Sequence, residues 1–180
     1  MLSAEAIIEK YHLAPLDQEG GYFRQVWLSP EKVANEALGD VYPKGGTHPM
    51  GTLIHFLLTA DSFSAMHRLP TPEHWMYHLG DPVEMLLLHP DGSGETKLLG
   101  PDLVAGQEIY VTTPANSWQG SRLFPGAGKH GYFFGSCWMV PGFEWTDFEL
   151  GACANLCEQY PDFNEAIVAR TRTEVLKGER

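Results

Sequence analysis

The stretch His67-Arg68-Leu69-Pro70-Thr71-Pro72-Glu73-His74-Trp75-Met76-Tyr77-His78-Leu79-Gly80-Asp81-Pro82 decides the fold. From residue 73 to 79 it carries aromatic and long apolar side chains, and Pro72 and Gly80-Asp81-Pro82 close it at both ends. Read with a period of two, it is a strand. Glu73, Trp75 and Tyr77 share one face, and His74, Met76 and His78 share the other. Read as a helix, it would place His74 and His78 one turn apart as a zinc pair. The run lacks the glutamate beside the first histidine that the zincin motif requires, so the strand is preferred.

Strand signals continue on both sides. Residues 52–58 and 63–68 read as a hairpin about Ala60-Asp61, which sets Ile54 opposite His67 and Leu58 opposite Phe63. His67 then ends an apolar face and points inward, whereas His55 and Met66 point away. Residues 83–88, 96–99, 108–113, 117–123 and 130–140 extend the series, with turns such as His89-Pro90-Asp91-Gly92 between them. Many short strands with regular turns imply a sandwich or barrel. Helices are expected near the ends: one capped by Ser3 and running to Tyr11, a short one over 153–159, and a better one over 163–176. Ser29-Pro30-Glu31 reads as a further helix start, with proline at the first position.

Composition bounds the function. The 180 residues fit one domain, and 43% hydrophobic with 19% charged residues suits a packed core. A formal net charge of -11 repels nucleic acid and anionic lipid, so neither is expected as a partner. The first residues lack a basic leader or apolar run, and no stretch approaches membrane-spanning length. Three cysteines, an odd and sparse count, are expected as reduced thiols in a cytoplasmic protein.

At this point the motifs resemble the cupin superfamily. His67 matches the first histidine of its first motif, Glu73 the glutamate, and Gly80 the closing glycine. Leu69 stands in the second histidine's place. Pro114-Ala115-Asn116 matches the turn of the second motif, and Gln119 stands where that motif has a histidine. More narrowly, Glu19-Gly20-Gly21-Tyr22-Phe23-Arg24, Ser64-Ala65-Met66-His67-Arg68, Trp118-Gln119 and Val140-Pro141-Gly142-Phe143-Glu144-Trp145-Thr146-Asp147-Phe148-Glu149-Leu150 resemble the DUF985, or Cupin_5, family. The resemblance implies a mainly β double-stranded β-helix, the jelly-roll barrel, over residues 13–150, with a short N-terminal helix and a C-terminal helical extension over 151–180. It also implies a homodimer and an internal cavity, but no established reaction.

Two readings of the site stand side by side. In the first, His67, Glu73 and Gln119 hold a divalent metal such as zinc, nickel, iron or manganese. In the second, no cofactor is present. His67 and Glu73 then perform acid–base chemistry on a small sugar-like or anionic molecule, with Tyr77 or Tyr132 as the opposite acid. Trp75, Trp118, Gln119 and Arg24 are the candidate ligand-binding residues. Glu144, Asp147 and Glu149 are candidates to close the mouth. The isomerase or epimerase reading competes with a non-catalytic ligand binder or sensor and with a metal-dependent oxygenase.

Overall fold

Alternation along the chain resolves into thirteen strands and three short helices in the computed structural model, which describes residues 2–126 and 128–172. The strands are β1 (Ala14–Pro15), β2 (Tyr22–Leu28), β3 (Lys32–Ala34), β4 (Thr47–Pro49), β5 (Thr52–Thr59), β6 (Phe63–Arg68) and β7 (Glu73–Gly80). They continue with β8 (Val83–Leu88), β9 (Gly94–Leu99), β10 (Tyr110–Thr113), β11 (Trp118–Leu123), β12 (Tyr132–Met139) and β13 (Glu149–Leu150). The helices are α1 (Ala4–Tyr11), α2 (Cys153–Gln159) and α3 (Asn164–Val168). Two antiparallel sheets face one another as a jelly roll. One has the order β1-β2-β5-β12-β7-β10 and the other β13-β6-β11-β8-β9, with β3-β4 as a separate pair.

Three apolar clusters follow from the two-residue period. Phe56, Leu58, Trp75, Val83, Met85 and Phe133 fill the space between the sheets. Met66, Leu86, Leu88 and Trp118 face outward from the second sheet and are covered by Leu156, Tyr160 and Ile167 of the C-terminal segment. Leu57, Tyr132 and Phe134 face outward from the first sheet, beneath Ile7 of α1. The Ser3 side chain accepts a hydrogen bond from the Ala6 N–H, which caps α1.

Three expectations are corrected. β5 and β6 form no hairpin, because they lie in different sheets. Both edges of β5 are taken by β2 and β12, and Ser62 hydrogen-bonds back to Thr59 in a turn that sends the chain across. Residues 29–34 are not helical. Bonds from Ser29 N–H to Gly51 O and from Met50 N–H to Glu31 O hold that segment extended, and β3 pairs with β4. The helix expected over 163–176 stops at Val168. The Arg170 carbonyl accepts from the Met66 N–H, so the chain there is drawn onto β6; residues 173–176 lie outside the described part.

Arg170 is fully buried, and its guanidinium meets the Glu84 carboxylate of β8, which Arg122 also approaches at 3.2 Å. This contact ties the C-terminal segment to the second sheet. Glu84→Gln leaves the guanidinium without its counter-charge. A loss of about 3–5 kcal/mol is expected in urea unfolding, the usual cost of breaking one side of a buried pair.

Candidate functional site

His67 lies on β6 with Gln119 directly beside it on β11. Glu73 begins β7 in the opposite sheet. All three side chains turn into the space between the sheets, where His67 and Gln119 are each 1% exposed. Gln119 Nε2 donates to Glu73 Oε2 at 2.7 Å. The Trp75 indole N–H lies 3.1 Å from both Glu73 Oε2 and Gln119 Oε1, and the Thr113 hydroxyl donates to Gln119 Oε1 at 2.7 Å. An indole N–H can only donate, so the Gln119 atom facing it is the oxygen, and the amide orientation is fixed. His67 Nδ1 meets the Ala65 carbonyl at 2.8 Å, which makes that nitrogen the donor and turns Nε2 toward Glu73 Oε2, 3.9 Å away. At that distance the pair attract as charges but are not directly hydrogen-bonded.

A fourth member, Glu19, comes from a loop that strand patterning could not place. Its backbone carbonyl accepts from the Ala65 N–H, and its carboxyl group accepts from the Ser64 hydroxyl at 2.5 Å. Gly20 and Gly21 follow with φ of 110° and 71°. A Cβ at Gly20 would collide with the Phe63 carbonyl oxygen, so only glycine lets this loop press onto β6 and aim Glu19 inward. Its sequence signals are this glycine pair and the Glu19–Arg24 motif to which the pair belongs. Glu19 as a residue keeps some exposed surface, but its carboxyl group is enclosed by protein atoms, and that enclosure sets its proton affinity. Burial raises its pKa, and the neighbouring His67 charge opposes the rise. For His67, burial disfavours the imidazolium, but Glu19 and then Glu73 outweigh it and lift the pKa to about 9. The titrations of Glu19 and His67 are therefore linked.

They open onto a cavity of about 90 Å³, room for several waters. The rest of its wall is largely apolar and includes Phe23, Ile54, Leu69, Cys137 and Met139. Phe143, Trp145 and Phe148 cover it. Phe148 stacks on His67 with ring centres 5.2 Å apart and planes 19° apart. At the mouth, where acidic residues were expected, these aromatics do the closing.

Other candidates lie elsewhere. Trp118 faces outward beneath α2, with the Arg68 guanidinium 4.6 Å over its ring. Tyr132 is packed under α1 on the far face of the first sheet. Tyr77 points inward, but its hydroxyl is spent on the Gly80 carbonyl at 2.7 Å and does not reach the cavity. Arg24 alternates outward from Phe23 and is exposed. Trp75 supports the site through its N–H, since its ring is in the core and does not line the cavity. For Trp118, Tyr132 and Arg24 the strand face, which a residue's type does not reveal, decided the matter; Tyr77 and Trp75 face inward and are kept from the cavity by packing and the Gly80 bond.

The metal reading does not fit this donor set. Gln119 Oε1 already accepts from two donors and its Nε2 faces Glu73, so no oxygen is offered to a cation. Leu69 adds an apolar wall where a ligand would be needed. Among the described residues, no three His, Cys, Asp or Glu side chains are arranged to hold a metal ion.

The sequence profile described as "Cupin superfamily (DUF985)", Cupin_5, matches residues 5–151. The chain belongs to this family. Among solved structures, a hypothetical protein from Leishmania major is similar at 31% identity with a TM-score of 0.81, over 94% of this chain and 98% of that one. Protein SO0799 from Shewanella oneidensis is similar at 26% identity and the same TM-score, over 97% and 100% of the two chains. An uncharacterized protein of Saccharomyces cerevisiae, YML079W, is 29% identical over 136 residues. That match covers 72% of this chain and 66% of the yeast protein's length. Among the described residues of this Cupin_5 member, no helix is long and apolar enough to cross a membrane.

The raised His67 pKa has a consequence for stability. The folded value of about 9 exceeds the ordinary 6.5, so the charged imidazole favours the folded state fully below about 6.5, and this share is lost as pH rises through about 9. The melting temperature should fall over that interval. In His67→Gln this part of the fall should vanish. An imidazole proton resonance titrating near 9 in the wild type is the direct check.

Proposed function

We propose that this cupin binds a small neutral molecule bearing a carbonyl and hydroxyl groups and moves a proton on the carbon beside that carbonyl, which is isomerase- or epimerase-type chemistry. One observation carries the reading: the buried His67 imidazole and the Glu19 and Glu73 carboxyl groups line one largely apolar cavity. His67 is the sole cationic side chain among the residues lining it. With two carboxyl groups beside it, the site offers no excess positive charge to an anion, so the neutral, sugar-like class is favoured over the anionic one.

The hydrogen bonds divide the roles. Glu73 Oε2 already accepts from Gln119 and Trp75, which suits a fixed counter-charge that holds His67 protonated. Among the described residues, only the Ser64 hydroxyl donates to the Glu19 carboxyl group, and burial makes its ionised form a stronger base. In the proposed step Glu19 takes the proton from carbon while His67 Nε2–H donates to the carbonyl oxygen, giving an enediol. Protonated Glu19 then gives its proton to the former carbonyl carbon while the neighbouring hydroxyl gives its own to the now neutral His67, which isomerises the molecule. If the enediol first turns over, return of the Glu19 proton to the original carbon, with the carbonyl oxygen's proton going back to His67, inverts it. The aromatic cover excludes water and keeps the charges strongly coupled. Glu19 thus serves as the base, and His67 takes the acid's role for which residue type alone suggests Tyr77 and Tyr132.

Deuterium exchange tests the step before the natural substrate is identified. Small neutral aldoses, ketoses and hydroxyketones are incubated with the protein in D2O and followed by NMR at the carbon next to the carbonyl. Exchange above the buffer rate is expected for at least one compound, and Glu19→Gln and His67→Gln should each slow it by about 10²–10⁴-fold. Saturable binding without exchange would leave the non-catalytic binder instead.

We also infer a homodimer through the outer face of the first sheet. Register places Trp27, Leu53, Trp138, His74 and Thr112 in one row across it, and Arg24, His55, Ser136, Met76 and Tyr110 in the next. Neither row contains a carboxylate, although the protein carries a net charge of -11, and both Trp27 and Trp138 are exposed. A face free of like charge suits a second copy of an acidic chain. Trp138→Glu should convert a dimeric mass to a monomeric one in light scattering; an unchanged mass would place the contact elsewhere.

A further inference from the structure

The cavity at His67 is far smaller than the ~300–1,000 Å³ usual for a drug-sized ligand site. A second hollow of about 380 Å³ lies directly outside it. The two share a wall. Leu69 lines both, and the segment after Gly142 divides its side chains between them. Phe143, Trp145 and Phe148 face the inner cavity, whereas Thr146, Asp147 and Glu149 face the outer hollow. The wall is one chain thick, and Trp145, which lines the cavity, is still 50% exposed.

This partition is fastened at its ends and only latched between them. Before it, Gly142 N–H donates to Pro49 O and Phe143 N–H to the Thr52 hydroxyl. After it, β13 pairs with β6 over two residues, and Gly151 N–H donates to Met66 O. The backbone bonds from Asp147 and Phe148 go to Glu144 and Trp145, within the segment itself. Two side-chain contacts tie it to the body at the outer hollow. His48 Nε2 meets Asp147 Oδ2 at 3.1 Å, with His48 Nδ1 2.7 Å from Asn35 Oδ1 and its ring stacked on Tyr42. Arg68 pairs with Glu149 in solvent.

We propose that the outer hollow is a second ligand subsite and the entry to the cavity, with residues 144–148 as the partition that the ligand displaces. The occupant is a neutral molecule too long for the inner cavity. Its carbonyl end reaches His67, and its hydroxyl-bearing remainder lies among Arg68, Asn116 and Thr146, which present donors and acceptors of both kinds. This assignment of a longer substrate rests on the acid–base reading above; the partition and its latches rest on the contacts alone.

Cys137 reports on entry, because it lines the inner cavity and is 3% exposed. In a Cys153→Ser, Cys157→Ser background it is the sole thiol, and its rate of modification by the small neutral reagent methyl methanethiosulfonate measures opening. Asp147→Asn with Glu149→Gln should speed modification about 10-fold, and Thr146→Trp, which fills the hollow, should slow it by a similar factor. Arg122→Gln, which breaks a remote ion pair, should leave the rate unchanged. Rates that ignore the latch and hollow variants, or that rise as much in Arg122→Gln, would overturn the assignment, since opening would then be global. The readout needs neither substrate nor turnover. A protein that labels as described but exchanges no carbon-bound proton keeps this entry route and loses the acid–base reading.

Discussion

Between the two sheets an imidazole and two carboxyl groups are held out of water, and much of the surrounding architecture answers to that constraint. An isolated charge in such a place is costly, so each member must be paired or hydrogen-bonded. Ala65 fixes one imidazole nitrogen, Ser64 holds Glu19, and Gln119 with Trp75 holds Glu73. Thr113 completes the set by orienting Gln119. The amide that stands where a metal-binding cupin has a histidine is therefore a structural strut for the carboxylate.

Both sheets are needed for this arrangement. His67 and Gln119 come from one sheet and Glu73 from the other, so the site is also a junction between layers. Glu19 arrives from the segment before β2, where two glycines allow the backbone to lie against β6. Phe143, Trp145 and Phe148 then seal the space with aromatic surface and add no competing polar group. The acidic side chains of that segment stay on its outer side, where water and Arg68 or His48 meet them. Inside and outside of one short segment thus carry opposite chemistry.

The strand series, the inward histidine, the split of faces along 73–79 and the Ser3 cap are all legible in the sequence, because each depends on a period of two or on a local hydrogen bond. The expected β5–β6 hairpin fails for a physical reason. A turn signal says that the chain reverses, but not whether the returning strand pairs with its predecessor or crosses to the facing sheet. Similarly, Ser29-Pro30-Glu31 has the chemistry of a helix start, yet ladder bonds to Gly51 and Met50 outweigh a short helix with nothing to pack on. Residue type also suggests Trp118, Tyr132 and Arg24 for the site, and strand direction places them outside it.

By itself, the sequence determined which residues alternate, where the chain must turn, and which strand faces His67 and Glu73 occupy. It did so through short-range rules of backbone geometry and polarity. The tertiary structure alone decided which charges share a cavity, that Glu19 joins them, and that Gln119 faces its amide nitrogen to a carboxylate. Those outcomes depend on distances between segments far apart in the chain. Proton affinity inside a protein is set by the nearest charges and by the exclusion of water, and neither is encoded at a single position.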